Sequence, residues 1–140
     1  MKKNKQPRGI RNNNPGNLKI SDNRWDGKVS VSQNTDGTFE QFDEMEFGVR
    51  AMAKLIKNYV YKFGVKDLHG IISRYAPSSE NNVEAYVQSV AKRAEINPHD
   101  SAKSWMVNSE DFERLIDAMI YHENGKRVSM SVIKKGIELI

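Results

Sequence analysis

The spacing of apolar residues changes near Phe47, and the change divides the chain into two kinds of structure. From there Phe47, Ala51, Leu55, Tyr59 and Phe63, joined by Met52, Ile56 and Val60, recur every three or four positions. That period predicts an amphipathic helix ending before Gly64. A shorter helix is predicted over about 65–74, stopping near Ala76 because Pro77 biases its predecessor away from helical dihedrals. Asn81 with Glu84 fits a capping box, opening a helix whose buried stripe is Val83, Tyr86, Val87, Val90 and Ala94 and which Ile96-Asn97-Pro98 closes. The next helix starts near Ser109, with Glu110, Asp111 and Glu113 suited to its positive end. Phe112, Leu115, Ile116, Met119 and Ile120 form its apolar face, and Gly125 is its natural break. Residues 129–140 read as a last short helix or packed tail.

Before Phe47 no helical period exists. Residues 1–38 contain seven Asn, together with glycines and Pro7 and Pro15, a mixture that favours turns and side-chain to backbone hydrogen bonds. In Arg11-Asn12-Asn13-Asn14-Pro15-Gly16-Asn17, Pro15 restricts Asn14 to extended conformations and Gly16 permits a positive φ, so the run reads as a shaped loop. Short apolar pieces around Leu18 and Ile20, Val29 and Val31, and Phe39 and Phe42, with a turn at 34–37, predict a small antiparallel sheet or hairpin. The fold class expected is therefore helix-rich α+β with a small N-terminal β region. It is organised as a basic flexible tail, residues 1–7, and a single domain, residues 8–140.

Charge and composition narrow the function classes. Residues 1–30 carry a net charge of +6 and the remaining 110 a net of −2. Such a basic front suits any polyanion, whether nucleic acid, wall polymer or membrane. No Cys/His finger or GxxxxGK loop accompanies it, and Lys2, Lys3 and Lys5 read as a solvated tail, so specific nucleic-acid recognition is not expected. The absence of cysteine excludes a thiol nucleophile, a disulfide framework and thiolate metal ligation. His69, His99 and His122 are too dispersed for a metal motif, and no cofactor is expected. No apolar run is long enough for a transmembrane span, and none marks a signal peptide.

Among the acids, Glu123 stands out because it lies four residues after Met119 and seven after Ile116, on the core-facing side of its helix. Partial desolvation at the lip of a cleft suits a general acid; an ion pair at a frayed helix end is the plainer alternative. Spacing alone does not reveal a second carboxylate. Glu40, between Phe39 and Phe42 in an expected strand, is the better candidate, whereas Asp43, Glu44 and Glu46 read as surface acids or caps. Trp25 serves either as a core aromatic or as a platform for a sugar ring. Tyr75 and Tyr86 suit the walls of a groove, and the amides of Asn81 and Asn82 suit an acetamido group or, more simply, a loop and cap.

Several of these segments together resemble a known family. Residues Arg8 through Leu18, then Trp25-Asp26-Gly27, Phe39-Glu40-Gln41-Phe42, Gly48-Val49-Arg50-Ala51 and the stretch from Ala76-Pro77 to Tyr86-Val87 carry the resemblance. The pattern is similar to small phage-encoded structural proteins and peptidoglycan hydrolases of the lysozyme-like superfamily, over about residues 8–125. Ala118 through Gly125 resembles the helix that ends in the catalytic glutamate of lysozyme-like glucosaminidases and lytic transglycosylases. In that family the helix precedes the Asn-rich loop; here it follows it, which implies a circular permutation.

The resemblance implies cleavage of the β-1,4 backbone between N-acetylmuramic acid and N-acetylglucosamine. Glu123 would be the general acid, with substrate contacts at Asn14, Asn17, Trp25, Tyr75, Asn81 and Tyr86. If Glu40 supplies a second carboxylate, water attack and hydrolysis follow; if none reaches the cleft, internal attack by the muramoyl O6 gives the anhydro product of a lytic transglycosylase. The implied partners are bacterial peptidoglycan and phage virion or lysis proteins. The implied location is the host cytoplasm before release, or the virion, with action on the cell wall. A noncatalytic phage structural or wall-binding protein is the alternative, and a nucleic-acid-binding module the more distant one.

Overall fold

The computed structural model describes residues 6–140; the basic tail expected at residues 1–7 lies for the most part outside them. Seven α-helices follow in order among the described residues: α1 (Arg8–Arg11), α2 (Met45–Tyr61), α3 (Leu68–Tyr75), α4 (Val83–Ala94), α5 (Ala102–Val107), α6 (Ser109–Asn124) and α7 (Met130–Glu138). The long helices form where the period predicts them. α2 buries Val49, Met52, Ile56 and Val60, and α6 buries Phe112, Leu115, Ile116, Met119 and Ile120. Packing of α2 against α7 and of α4 against α6 encloses one continuous core, and α6 also touches α1, α5 and α7.

Side-chain caps fix three helix starts. Asp67 accepts from the Gly70 amide at 2.9 Å, Asn82 from Ala85 at 3.0 Å and Asn108 from Asp111 at 3.0 Å, each satisfying an amide that the helix leaves unpaired. The cap of α4 is thus Asn82, one residue after the expected Asn81. Gly125, at φ 66°, ends α6 in the left-handed region as its residue type predicts.

The predicted N-terminal β region is not present. Among the described residues there is no strand or sheet, only two isolated antiparallel bridges, Lys19 with Phe39 and Lys28 with Phe42. The segment 39–42 pairs first with 18–20 and then with 27–29, so neither pairing continues into a ladder: the Glu40 amide donates to the Leu18 carbonyl at 2.9 Å and the Asp43 amide to that of Gly27 at 2.9 Å. Side chains take the remaining backbone groups. Asn34 Nδ2 donates to the Phe39 carbonyl, and Asp36 accepts from the amides of Thr38 and Phe39. The Asn- and Asp-rich composition that suggested hairpin turns thus supplies the partners a sheet would have supplied. The fold is mostly all-α, and the α+β expectation is corrected accordingly.

The front segment lies on the helices through close backbone approaches. Gly48 of α2 faces the Asn13 carbonyl, and a Cβ there would fall inside contact distance of that oxygen and press on Pro15. Neither obstacle is a flexible side-chain end, so Gly48→Ala is expected to destabilise the fold by about 1–3 kcal/mol, as overpacking does. Thermal unfolding of the variant checks this; an unchanged melting temperature would contradict the seating of the loop on α2.

Candidate functional site

Glu123 occupies the last turn of α6 and is half-buried. Asn17 Nδ2 donates to its Oε1 at 3.0 Å, and the Tyr86 hydroxyl donates to its Oε2 at 2.8 Å. These bonds bring together the front loop, α4 and α6. Among the described residues no Lys or Arg forms an ion pair with Glu123. Its partners are neutral donors, which orient the carboxyl group.

The loop that delivers Asn17 is held from three sides. Asn124 Nδ2 donates to the Pro15 carbonyl at 2.8 Å, and the Tyr75 hydroxyl donates to the Gly16 carbonyl at 2.5 Å. Asn14, fully buried, accepts from the Leu18 amide and donates to the carbonyls of Leu18 and Glu40 at 2.9 and 3.0 Å. Asn13 and Asn17 both adopt φ of 52°, a region that asparagine tolerates better than most residues. Gly9 completes the arrangement. A Cβ on it would lie 2.5 Å from Asn124 Oδ1 and 2.8 Å from Asn17 Oδ1, so only glycine lets both amides close on α1.

Glu123 opens onto a groove of about 470 Å³. It is lined by Asn17, Lys19 and Trp25 from the front segment, by Tyr75, Glu80 and Asn81 from α3 and the following loop, and by Leu55 and Tyr59 of α2. Aromatic faces beside amides suit a ligand with both apolar and hydroxyl-bearing surfaces. The groove therefore brings together Glu123, Asn17, Trp25, Tyr75 and Asn81 of the residues singled out from sequence. Trp25 both packs on the core and lines the groove.

Three other candidates fall elsewhere. Asn14 is a scaffold of the loop, closed to any ligand. Tyr86 is 1% exposed and acts on Glu123 from behind the groove surface, its ring stacked on His122 with centroids 3.8 Å apart. Glu40 is fully buried, with Oε2 in a 2.9 Å ion pair with Lys28, accepting also from the Ser21 amide, and Oε1 without a partner. It is absent from the groove lining. Lys19, Glu80, Leu55 and Tyr59 were not identified from sequence. Leu55 and Tyr59 belong to the same apolar stripe as the core, and only the tertiary fold separates the groove-facing part.

Electrostatics in the site follow from burial. Desolvation, reinforced by the charge of Glu123, pushes the Tyr75 and Tyr86 hydroxyls well above the ordinary tyrosine value, so both remain neutral donors near neutrality. Desolvation also lowers the His122 imidazole, opposed by the Glu123 charge. Among the described residues no cluster of His, Asp or Glu is placed to hold a metal ion, and no helix is long and apolar enough to cross a membrane.

Beneath the loop, Asp36 accepts from Arg8 Nε and Nη2 at 2.8 Å each, from Asn12 Nδ2 at 3.0 Å and from two amides. The Arg8 bonds, with the Phe39, Asn12 and Thr38 donors, hold its carboxyl far below the usual range against an opposing desolvation. Because the folded-state value is depressed, the stabilisation is fully present above the ordinary carboxylate pKa of about 3.9 and is lost as pH falls through the folded value. Asp36→Asn is therefore expected to lower the melting temperature at neutral pH, with the gap from wild type closing in acid. A gap independent of pH would contradict this reading.

No family model matches the chain. Its sequence is 37% identical over 139 positions to Protein P5 of Pseudoalteromonas phage PM2, an alignment that covers 96% of this chain and 82% of the relative. At that identity and coverage the chain belongs to the family of phage PM2 Protein P5.

Proposed function

We propose that this protein cleaves the β-1,4 glycan backbone of peptidoglycan with Glu123 as general acid. The observation that carries the reading is one carboxyl group, held by two neutral donors and free of ion pairs, at the side of an aromatic- and amide-lined groove. The N-terminal motif and the helix ending in Glu123-Asn124-Gly125 resemble lysozyme-like enzymes in permuted order, and the phage relationship accords with a wall-directed role.

In this mechanism the glycan lies in the groove, with a sugar ring against Trp25. Protonated Glu123 gives its proton to the glycosidic oxygen as the bond from that oxygen to C1 of N-acetylmuramic acid breaks, leaving an oxocarbenium-like centre. Glu40, buried in its pair with Lys28, is unavailable to activate water from the groove surface. The step that needs no second carboxylate is attack on C1 by the O6 hydroxyl of the same muramoyl residue, whose proton passes to the Glu123 carboxylate; activation of water by Glu80, which also lines the groove, is the hydrolytic alternative. In the internal attack atoms balance without water, and the product carries a 1,6-anhydro ring, as in a lytic transglycosylase.

Digestion of purified peptidoglycan by wild type and Glu123→Gln, followed by mass spectrometry, tests the proposal. Wild type is expected to release fragments with 1,6-anhydromuramic ends, and the variant to be slower by at least about 100-fold. Reducing ends would assign hydrolysis in place of internal attack. Equal release by the variant would exclude Glu123 as the acid, and no release by folded wild type on several wall types would favour the noncatalytic structural or wall-binding role.

A further inference from the structure

Two further charged residues line the groove together with Glu123, and they are paired with each other. Lys19 Nζ lies 2.7 Å from Glu80 Oε1 and 2.9 Å from Oε2, joining the front segment to the loop between α3 and α4. The side chains are 58% and 52% exposed, so the pair contributes little to stability and is easily exchanged for another.

The two partners are anchored unequally. Lys19 sits in the bridge to Phe39, and its neighbours are fixed on both sides: the Leu18 carbonyl accepts from the Glu40 amide and from Asn14, and the Ile20 amide donates to Thr38 at 2.9 Å. Glu80 belongs to a stretch without regular structure, tied locally by its amide to the Pro77 carbonyl at 3.0 Å. The backbone that carries the cation is therefore fixed on both sides, and the carboxylate is carried on the loop between α3 and α4. With Glu80 swung away, Lys19 is the one cation among the described groove-lining residues, beside Asn17, Ser21, Asn23 and Asn81.

We infer that Lys19 receives a carboxylate of the bound glycan and that Glu80 occupies that position in the empty groove. The inference rests on the glycan-cleavage reading and specifies its substrate: a saccharide bearing acidic substituents, as against a neutral N-acetylglucosamine polymer. A neutral chain has no group to exchange for Glu80. In peptidoglycan the carboxylate comes from a lactyl group whose peptide has been removed or from the stem peptide itself; both present the same chemistry to an ammonium group.

Binding measured without turnover tests this. The full chain carrying Glu123→Gln is titrated by calorimetry with three probes: the neutral N-acetylglucosamine tetramer, a peptide-free tetrasaccharide of N-acetylglucosamine and N-acetylmuramic acid with free lactyl carboxylates, and the same tetrasaccharide with stem peptides. One or both acidic probes are expected to bind tighter than the neutral one. Adding Glu80→Gln should tighten the acidic probes further, by up to about fivefold at low salt, and leave the neutral tetramer within about twofold. Adding Lys19→Gln should abolish the preference. Preference for the stem-bearing probe alone assigns the carboxylate to the peptide; preference for the peptide-free probe assigns it to the lactyl group. Equal binding of all probes, a preference that survives Lys19→Gln, or no binding at all overturns the inference. Wild-type digestion run alongside separates the two failures, because cleavage without discrimination leaves Glu123 chemistry standing and removes only the role of Lys19.

Discussion

Everything at the candidate site depends on the bond between Asn17 and Glu123, residues 106 positions apart. One lies near the beginning of the chain in an irregular loop, the other at the end of a buried helix. A carboxyl group in the last turn of a helix is free to sample several rotamers unless something outside the helix holds it. Here the amide of Asn17 takes one oxygen and the hydroxyl of Tyr86 the other. Either donor alone would leave an oxygen free to rotate toward solvent; together they fix the plane of the carboxyl group at the groove.

This arrangement explains why the front of the chain is irregular. A regular strand would satisfy its own backbone and present side chains at alternating positions. The segment from Arg8 to Leu18 instead gives up carbonyls to side chains from distant helices, Pro15 to Asn124 and Gly16 to Tyr75, and spends two asparagines in left-handed conformations to aim Asn17. Two buried amide oxygens, those of Asn17 and Asn124, have no hydrogen-bond donor and converge on the space beside Gly9 that a Cβ would fill. Unsatisfied acceptors cost stability, and that cost is offset by the donor ends of the same amides, which hold Glu123 and the loop. Asp36, with Arg8 and Asn12, supplies the platform on which this segment rests.

The helices were legible because burial imposes a period on the sequence. Met52 and Ile56 of α2, and Leu115 and Met119 of α6, mark faces that need no knowledge of the rest of the fold. Glu123 was legible for the same reason, as a carboxylate in phase with that stripe. The role of Asn14 was not, because its partners are the backbone of Leu18 and Glu40, and a backbone acceptor leaves no mark on residue identity. Glu40 looked accessible in an alternating strand; without a sheet its side chain turns inward to Lys28. Phe39 and Phe42 produced the hairpin expectation because extended backbone with apolar side chains precedes any decision between a ladder and isolated bridges. The short helices α1 and α5 carry too few residues for a period to register. Lys19 and Glu80 were invisible for another reason, since surface charges become a pair only when two loops are brought together.

The most direct test of the account is a double-mutant cycle on unfolding free energy with Asn17→Ala, Glu123→Ala and the double variant. If the front loop and the end of α6 are joined through these two side chains, the single costs should fail to add by about 1 kcal/mol or more. Strict additivity, within about 0.3 kcal/mol, would mean that Glu123 is not held by Asn17 and that the groove lacks the fixed carboxyl group on which its chemistry is argued.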